Sequence, residues 1–242
     1  MRRLLAAAAI AAATLLTATP ATAAPPGRDG AFNFRLGVFF PAGSDDFWAA
    51  NEAAFTLDHS DFNGPIGGVG YTASINNYFE LDVNADFYAS ASRSADKFYV
   101  DQDGFSIFHD SRLAVFPVSV GFRVLPAGRY ARRGAEGKHY VRRPVPYIGA
   151  GIGMSYWQYE EEGDFVASDL SIVYDRLVDS GLAFGEYVTV GIEFPVAPQW
   201  NITLEVRQTW ADANPGGAFA GVNTGALDLG GTSVFVGGSL RF

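Results

Sequence analysis

From Phe32 onward the chain returns again and again to an alternation of apolar and polar positions. In FNFRLGVFF, Phe32, Phe34, Leu36, Val38 and Phe40 share one face, with Asn33, Arg35 and Gly37 opposite. Side chains that alternate sides with period two belong to a strand. VGYTASI sets Val69, Tyr71, Ala73 and Ile75 against Gly70, Thr72 and Ser74. After a tight turn at NN, FELDVNADFY sets Phe79, Leu81, Val83, Ala85 and Phe87 against Glu80, Asp82, Asn84 and Asp86. This pair reads as a hairpin. Five more alternating stretches follow: FPVSVGFRV (116–124), PYIGAGIGMSYW (146–157), YVTVGIEF (187–194), NITLEVRQTW (201–210) and TSVFVGGSLRF (232–242). Pro117 suggests a bulge near the start of the first of these.

The pattern therefore predicts eight strands, several long enough to cross a bilayer at a tilt. Their connections alternate in length. Those at 42–65, 89–111, 158–183 and 211–229 are long, and those after the second and sixth strands are short. Long loops at one end and short turns at the other is the layout of an outer-membrane barrel. PAGRYARRGAEGKHYVRRP, between strands four and five, breaks that rhythm. It reads as a basic hairpin on the short-turn side, carrying Arg129, Arg132, Arg133, Lys138, Arg142 and Arg143 against Glu136.

Before the first strand stands a different signal. MRRLLAAAAIAAATLLTATPATAA has two arginines, an apolar run and the small-x-small site Ala21-Thr22-Ala23, the build of a secretory signal peptide. The domain reading is a signal peptide at 1–23, a flexible mature N-terminus at 24–31 and one barrel at 32–242. No later stretch approaches the roughly 20 apolar residues of a spanning helix, so a membrane crossing must use strands.

Alternation alone leaves open which face is inside, because a soluble lipocalin-like carrier would turn its apolar face inward. Three features choose the membrane. Glycine, with 28 residues, is heavy on the polar face, where a small barrel is crowded. The charges on that face are Arg35, Arg123, Arg207 and Arg241 with Glu80, Asp82, Asp86, Glu193 and Glu205, a set without lysine whose arginines suit forked carboxylate pairs. Aromatic residues cluster at strand ends: Phe32, Phe40, Tyr78, Phe79, Phe87, Tyr156, Trp157, Trp200, Trp210 and Phe242. They read as girdles at two membrane interfaces.

The closing strand, with Val234, Val236, Leu240 and a terminal Phe242, resembles the C-terminal signal that barrel-assembly machinery recognises. With PYIGAGIGMSYW and the strands after it, the chain from Phe32 resembles the outer membrane protein β-barrel group around the OmpA, OmpX and OmpW types. The resemblance implies an all-β fold, an eight-stranded antiparallel up-and-down transmembrane barrel preceded by a cleaved signal peptide. It places the protein in the outer membrane, exported through the periplasm, with outer-membrane lipid, lipopolysaccharide and the assembly machinery as partners.

Chemistry in the sequence is sparse. The absence of cysteine removes thiolate sites, and a net charge of −9 argues against nucleic acid. GAGIG lies within a strand and leads to no helix that would receive a phosphate. DQDG lacks the later ligands of a calcium loop. Acidic loop residues such as Asp45, Asp46, Glu52, Asp58 and Asp61 read as solvated surface. No cofactor or metal is expected, and the protein is expected to be a monomer. His109 and Ser111 fall on one face of a strand and resemble the His/Ser pair of lipid A deacylases, with Asp86 or Glu186 as orienting acid. The segment 47–57 reads as a short loop helix over the barrel mouth, and Phe47, Trp48, Phe55, Phe98, Tyr99 and Phe105 as loop aromatics for surface contact. The leading expectation is a structural or surface-interaction role, ahead of a narrow channel, a lipid A hydrolase or a soluble carrier.

Overall fold

A computed structural model describes residues 30–43, 45–133, 139–167, 169–219 and 225–242, with the side chains of 131–142 and of Ala218 outside that description. Residues 1–23, read as a signal peptide, and nearly all of 24–31, read as a flexible N-terminus, lie outside the described residues. The strands are β1 (Gly30–Pro41), β2 (Gly64–Ser74), β3 (Phe79–Val100), β4 (Ser106–Val124), β5 (Tyr130–Arg133), β6 (His139–Arg142), β7 (Val145–Val166), β8 (Ile172–Pro195), β9 (Trp200–Ala213), β10 (Leu227–Asp228) and β11 (Gly231–Arg241). One helix, α1 (Asp46–Ala54), and a 3₁₀ turn at His59–Phe62 occupy the first long connection.

Eight strands close into an antiparallel ring in the order β1, β2, β3, β4, β7, β8, β9, β11, and β11 returns to pair with β1. β5 and β6 form a separate hairpin, and β10 adds two residues to β9. The register gives the ring its geometry. Following directly paired residues from Phe40 through Thr232, Gln208, Val188, Ala150, Phe122, Leu81 and Ala73 leads back to β1 at Gly30, ten residues lower. An offset of ten over eight strands corresponds to a strand tilt of about 40°.

Corrected for that tilt, the aromatics fall into two rings. Phe40, Phe87, Phe116, Tyr156, Phe184 and Trp210 share the height of Phe40, while Phe79, Phe194, Trp200 and Phe242 lie near the height of Gly30. Ten residues of tilted strand span about 25 Å, the height of the lipid-facing band of an outer-membrane barrel. Between the rings the apolar face points outward, with Leu36 69 % and Ile152 66 % exposed. That orientation excludes the soluble-carrier reading. Trp157 departs from the expected girdle: it alternates inward and is buried, because Tyr156 takes the outward position at that height. Glu186 faces outward beside Trp210 and Ile152, an acid on the otherwise apolar wall just below the upper ring.

Two expected boundaries move. The segments 89–111 and 158–183 are chiefly strand rather than loop. β3, β4, β7 and β8 run 22, 19, 22 and 24 residues and carry their hairpins well above the upper ring. At Pro117 there is no bulge. The β3–β4 register is the same on both sides of it, and only the ladder opposite Asp86 and Phe87 is interrupted, as expected where proline lacks an N–H. The register shift lies instead between Ala95 and Val100.

Leu36 sits near mid-height of the band. Replacing it with arginine is expected to cost about 2–4 kcal/mol, whereas Phe98→Arg, above the band, should cost little. Denaturant unfolding of the two variants folded in lipid vesicles measures the difference.

Candidate functional site

The inward face of the ring is divided by height. In the half nearer the short turns, inward positions are charged. Asp86 receives a forked pair from Arg35, with Nε–Oδ1 2.7 Å and Nη2–Oδ2 2.6 Å, and a further contact from Arg207 at 3.2 Å. Glu205 accepts from Arg207 at 2.9 Å, from Arg35 at 3.5 Å and from the Tyr147 hydroxyl at 2.6 Å. Lower in the barrel, Glu80 and Glu193 are shared by Arg241 and a second arginine (see below). Arg123 lies between the two groups, 3.7 Å from Asp82, 3.8 Å from Glu193 and 3.5 Å from Glu205. All nine residues read from the sequence as a lumen charge set are buried and face one another.

Glycine makes the crowding tolerable. A Cβ at Gly191 would fall on the Tyr147 ring, and one at Gly121 on the Tyr187 hydroxyl. The room this leaves lets Tyr187 donate to Asp82 at 3.1 Å while its ring carries Arg207, and lets the Tyr147 ring carry Arg123.

Arg129 does not belong to a solvated basic hairpin. It turns back into the barrel and is buried, holding Glu80 through Nε–Oε1 at 2.7 Å and Nη2–Oε2 at 2.6 Å, and Glu193 through Nη1–Oε2 at 2.7 Å. Arg241 completes the lower group, 3.0 Å from Glu80 and 3.7 Å from Glu193. With Arg129 the lower half of the lumen holds five guanidiniums and five carboxylates among the described residues, and their formal charges balance. Sequence reasoning missed it because the residue lies outside every alternating stretch. The β4–β5 turn brings it in: Gly128 has a positive φ of 73°, and the Arg129 and Tyr130 N–H groups donate to Asn77. Arg143 donates to the carbonyls of Ala127 and Gly128 and braces the same turn. Lys138 and the side chains of Arg132, Arg133 and Arg142 lie outside the described residues.

The half nearer the long hairpins is filled quite differently. Phe39, Ile66, Tyr88, Leu113, Val115, Trp157 and Phe235 point inward from the strands, joined by Phe219, Leu227 and Leu229 from the last connection. α1 enters this space. Asp45 caps it by accepting from the Trp48 N–H at 2.9 Å, and Phe47 and Trp48 are wholly buried rather than offered to the surface. Phe47 meets Tyr159 edge-on at 5.1 Å, and Trp48 lies 5.1 Å from Phe62. Phe98, Tyr99 and Phe105 remain exposed as expected. Between the charged and apolar halves lies a void of about 60 Å³, bordered by Asp86, Tyr88, Tyr187, Arg207 and Phe235.

His109 and Ser111 do share the inward face of β4, above the membrane band, and both are buried. The His109 ring is held between Phe55, 4.4 Å away edge-on, and Phe165, stacked at 5.0 Å, and neither ring nitrogen has a hydrogen-bond partner among the described residues. Asp86 is engaged by two arginines and Glu186 faces outward, so the arrangement that would activate Ser111 is not assembled. Beside Ser111 on β7 stands Glu161, buried, accepting from the Tyr159 hydroxyl at 2.8 Å. Burial pushes the Glu161 carboxyl above the usual glutamate range, and the Tyr159 hydrogen bond offsets part of that shift. The closing-strand residues Val234, Val236 and Phe242 face outward, with Leu240 half-buried, on the strand that seals the ring.

A family model described as "Outer membrane protein beta-barrel domain" matches residues 8–242. Among solved structures, OprG from Pseudomonas aeruginosa is 14 % identical with a TM-score of 0.51, over 89 % of this chain and 97 % of that one. Neisserial surface protein A is 12 % identical over 88 % and 96 %, TM-score 0.45, and the N-terminal barrel of Pseudomonas aeruginosa OprF is 9 % identical over 89 % and 99 %, TM-score 0.42. At these identities the likeness to OprG speaks for the fold. No curated protein sequence matched.

Removing one partner from a buried ion pair strands the others, so Arg129→Met is expected to cost about 3–5 kcal/mol, with Arg129→Met/Glu80→Gln milder than the single variant. Denaturant unfolding in vesicles tests this. Glu161 gives a pH signature. A folded carboxyl with a raised pKa binds its proton more tightly than the unfolded chain does, so its contribution declines as pH rises from the unfolded value through the folded one. Glu161→Gln is therefore expected to stabilise at neutral pH and to have no effect in acid, read from unfolding curves across that range.

Proposed function

We propose, from the premise that the chain belongs to the outer membrane protein β-barrel domain family, that this protein serves the membrane as a structural and surface-contact element, not as a conduit. The observation that carries this reading is the filled lumen. Five neutralised ion-pairing arginines occupy one half, and the other is packed by strand side chains and by Phe47 and Trp48 of α1. A solute would have to displace both.

The outward-facing features support the same reading. With the long hairpins outside and the short turns in the periplasm, residues 42–63, 89–113, 158–184 and 211–231 carry eighteen Asp and Glu against four Lys and Arg. Phe98, Tyr99 and Phe105 on one hairpin and Leu170, Val173 and Tyr174 on another stand exposed above the band. An acidic surface with aromatic tips suits contact with cationic partners or with cation-bridged lipopolysaccharide. At the other end, the seam strand with Val234, Val236, Leu240 and Phe242 is the segment we assign to recognition by the assembly machinery after export through the periplasm. The unassembled surroundings of Ser111 speak against hydrolysis.

The test is electrical. Folded protein in planar lipid bilayers is expected to show no discrete conductance steps; reproducible steps would establish the narrow channel instead.

A further inference from the structure

The first long connection carries a group of side chains outside both the lumen and the plug. Glu52 lies in the last turn of α1. Asp58 caps the 3₁₀ turn that follows, and His59 is that turn's first residue. His59 Nδ1 stands 2.8 Å from Glu52 Oε1 and 3.5 Å from Asp58 Oδ1. One donor atom from each of the three residues lies within 4.8 Å of the other two, and among the described residues no other three His, Asp or Glu side chains meet that condition.

We propose that Glu52, Asp58 and His59 form a binding site for a divalent first-row transition ion of the zinc type. One imidazole nitrogen with two carboxylate oxygens is a borderline donor set, which suits zinc and its neighbours better than magnesium or calcium, whose sites are built from oxygen alone. The donors are held before any ion arrives. The His59 N–H donates to Glu52 Oε1 at 3.1 Å, the Ser60 N–H to Asp58 Oδ1 at 2.8 Å, and the Asp58 N–H to Asp61 Oδ2 at 3.0 Å. The His59 ring lies against Gly43, where a Cβ would collide with it. Such outer contacts are what orient ligands in metal sites. The Lys97 ammonium donates to the Glu52 carbonyl rather than to its carboxylate. The side chains of His59, Glu52 and Asp58 are 36 %, 34 % and 58 % exposed, so an ion can enter and keep water on its remaining positions. The surrounding acidic surface raises the local concentration of cations. A bound ion would tie the end of α1 to the 3₁₀ turn and hold the connection that delivers Phe47 and Trp48 to the lumen.

The experiment is zinc titration by calorimetry of tag-free folded protein in detergent, with cobalt(II) absorption as a direct report of nitrogen ligation. Folding of each variant is checked by the shift in gel mobility on boiling. One zinc equivalent is expected. His59→Ala should weaken binding roughly tenfold or more, Glu52→Gln should weaken it as well, and His139→Ala should leave it unchanged. Excess magnesium should not displace the zinc. If zinc does not bind, binds equally well to His59→Ala, or yields to magnesium, the residues are only an acidic surface and the proposal fails. Should His59→Ala not fold, Glu52→Gln carries the comparison, and unchanged affinity there overturns the site.

Discussion

A peptide backbone placed in hydrocarbon has no water to bond with, so every strand must find a neighbour on both sides. That requirement makes β11 return to β1, and the ring closes with an offset of ten residues. The offset sets the tilt. The tilt turns ten residues of strand into a band of about 25 Å between two aromatic rings. Closure also fixes the interior. Eight tilted strands enclose a space that side chains can fill but not leave open to bulk solvent, so each inward position must be satisfied by another side chain.

The chain satisfies the interior with two kinds of chemistry, stacked along the barrel axis. In the lower half, arginines are forked onto carboxylates and laid on tyrosine rings, so that no carboxylate of the network lacks a guanidinium nearby. Buried ion pairs of this kind are a weak source of net stability, but they penalise any arrangement that strands one partner. In the upper half, aromatic and aliphatic packing continues without a break from the strands into α1 and the last connection. A connection therefore behaves there as part of the core. The barrel is filled by two layers of different chemistry, one electrostatic and one apolar.

The membrane wall was legible because its signal is local. Phe32 to Phe40 and Thr232 to Phe242 each show their faces through period two alone, and the inward arginines and acids were read from the same alternation. What escaped had no periodic signature. Arg129 stands in a run of basic residues that looks like any solvated turn, and only the fold of the Leu125–Gly128 turn directs it inward. The apolar plug was hidden because Phe39, Leu113 and Val115 occupy positions whose counterparts lower on the same strands are polar. Stretches such as Val38–Phe39–Phe40 are apolar on both faces, the mark of a strand buried in protein on one side and facing lipid on the other. The strand extensions above the upper ring, in sequences such as ASASRSADK, carry little apolar contrast because water lies on their outer side.

Arg129 also sets the charge balance of the finished barrel. The other four arginines of the network sit on barrel strands and leave five carboxylates facing four guanidiniums. The fifth comes from the β4–β5 turn, outside the wall, and reaches Glu80 on β3 and Glu193 on β8 together. The length of this turn, anomalous beside its short neighbours, is thus part of the architecture: a minimal turn in its place would leave the finished cylinder carrying one uncompensated negative charge at its base.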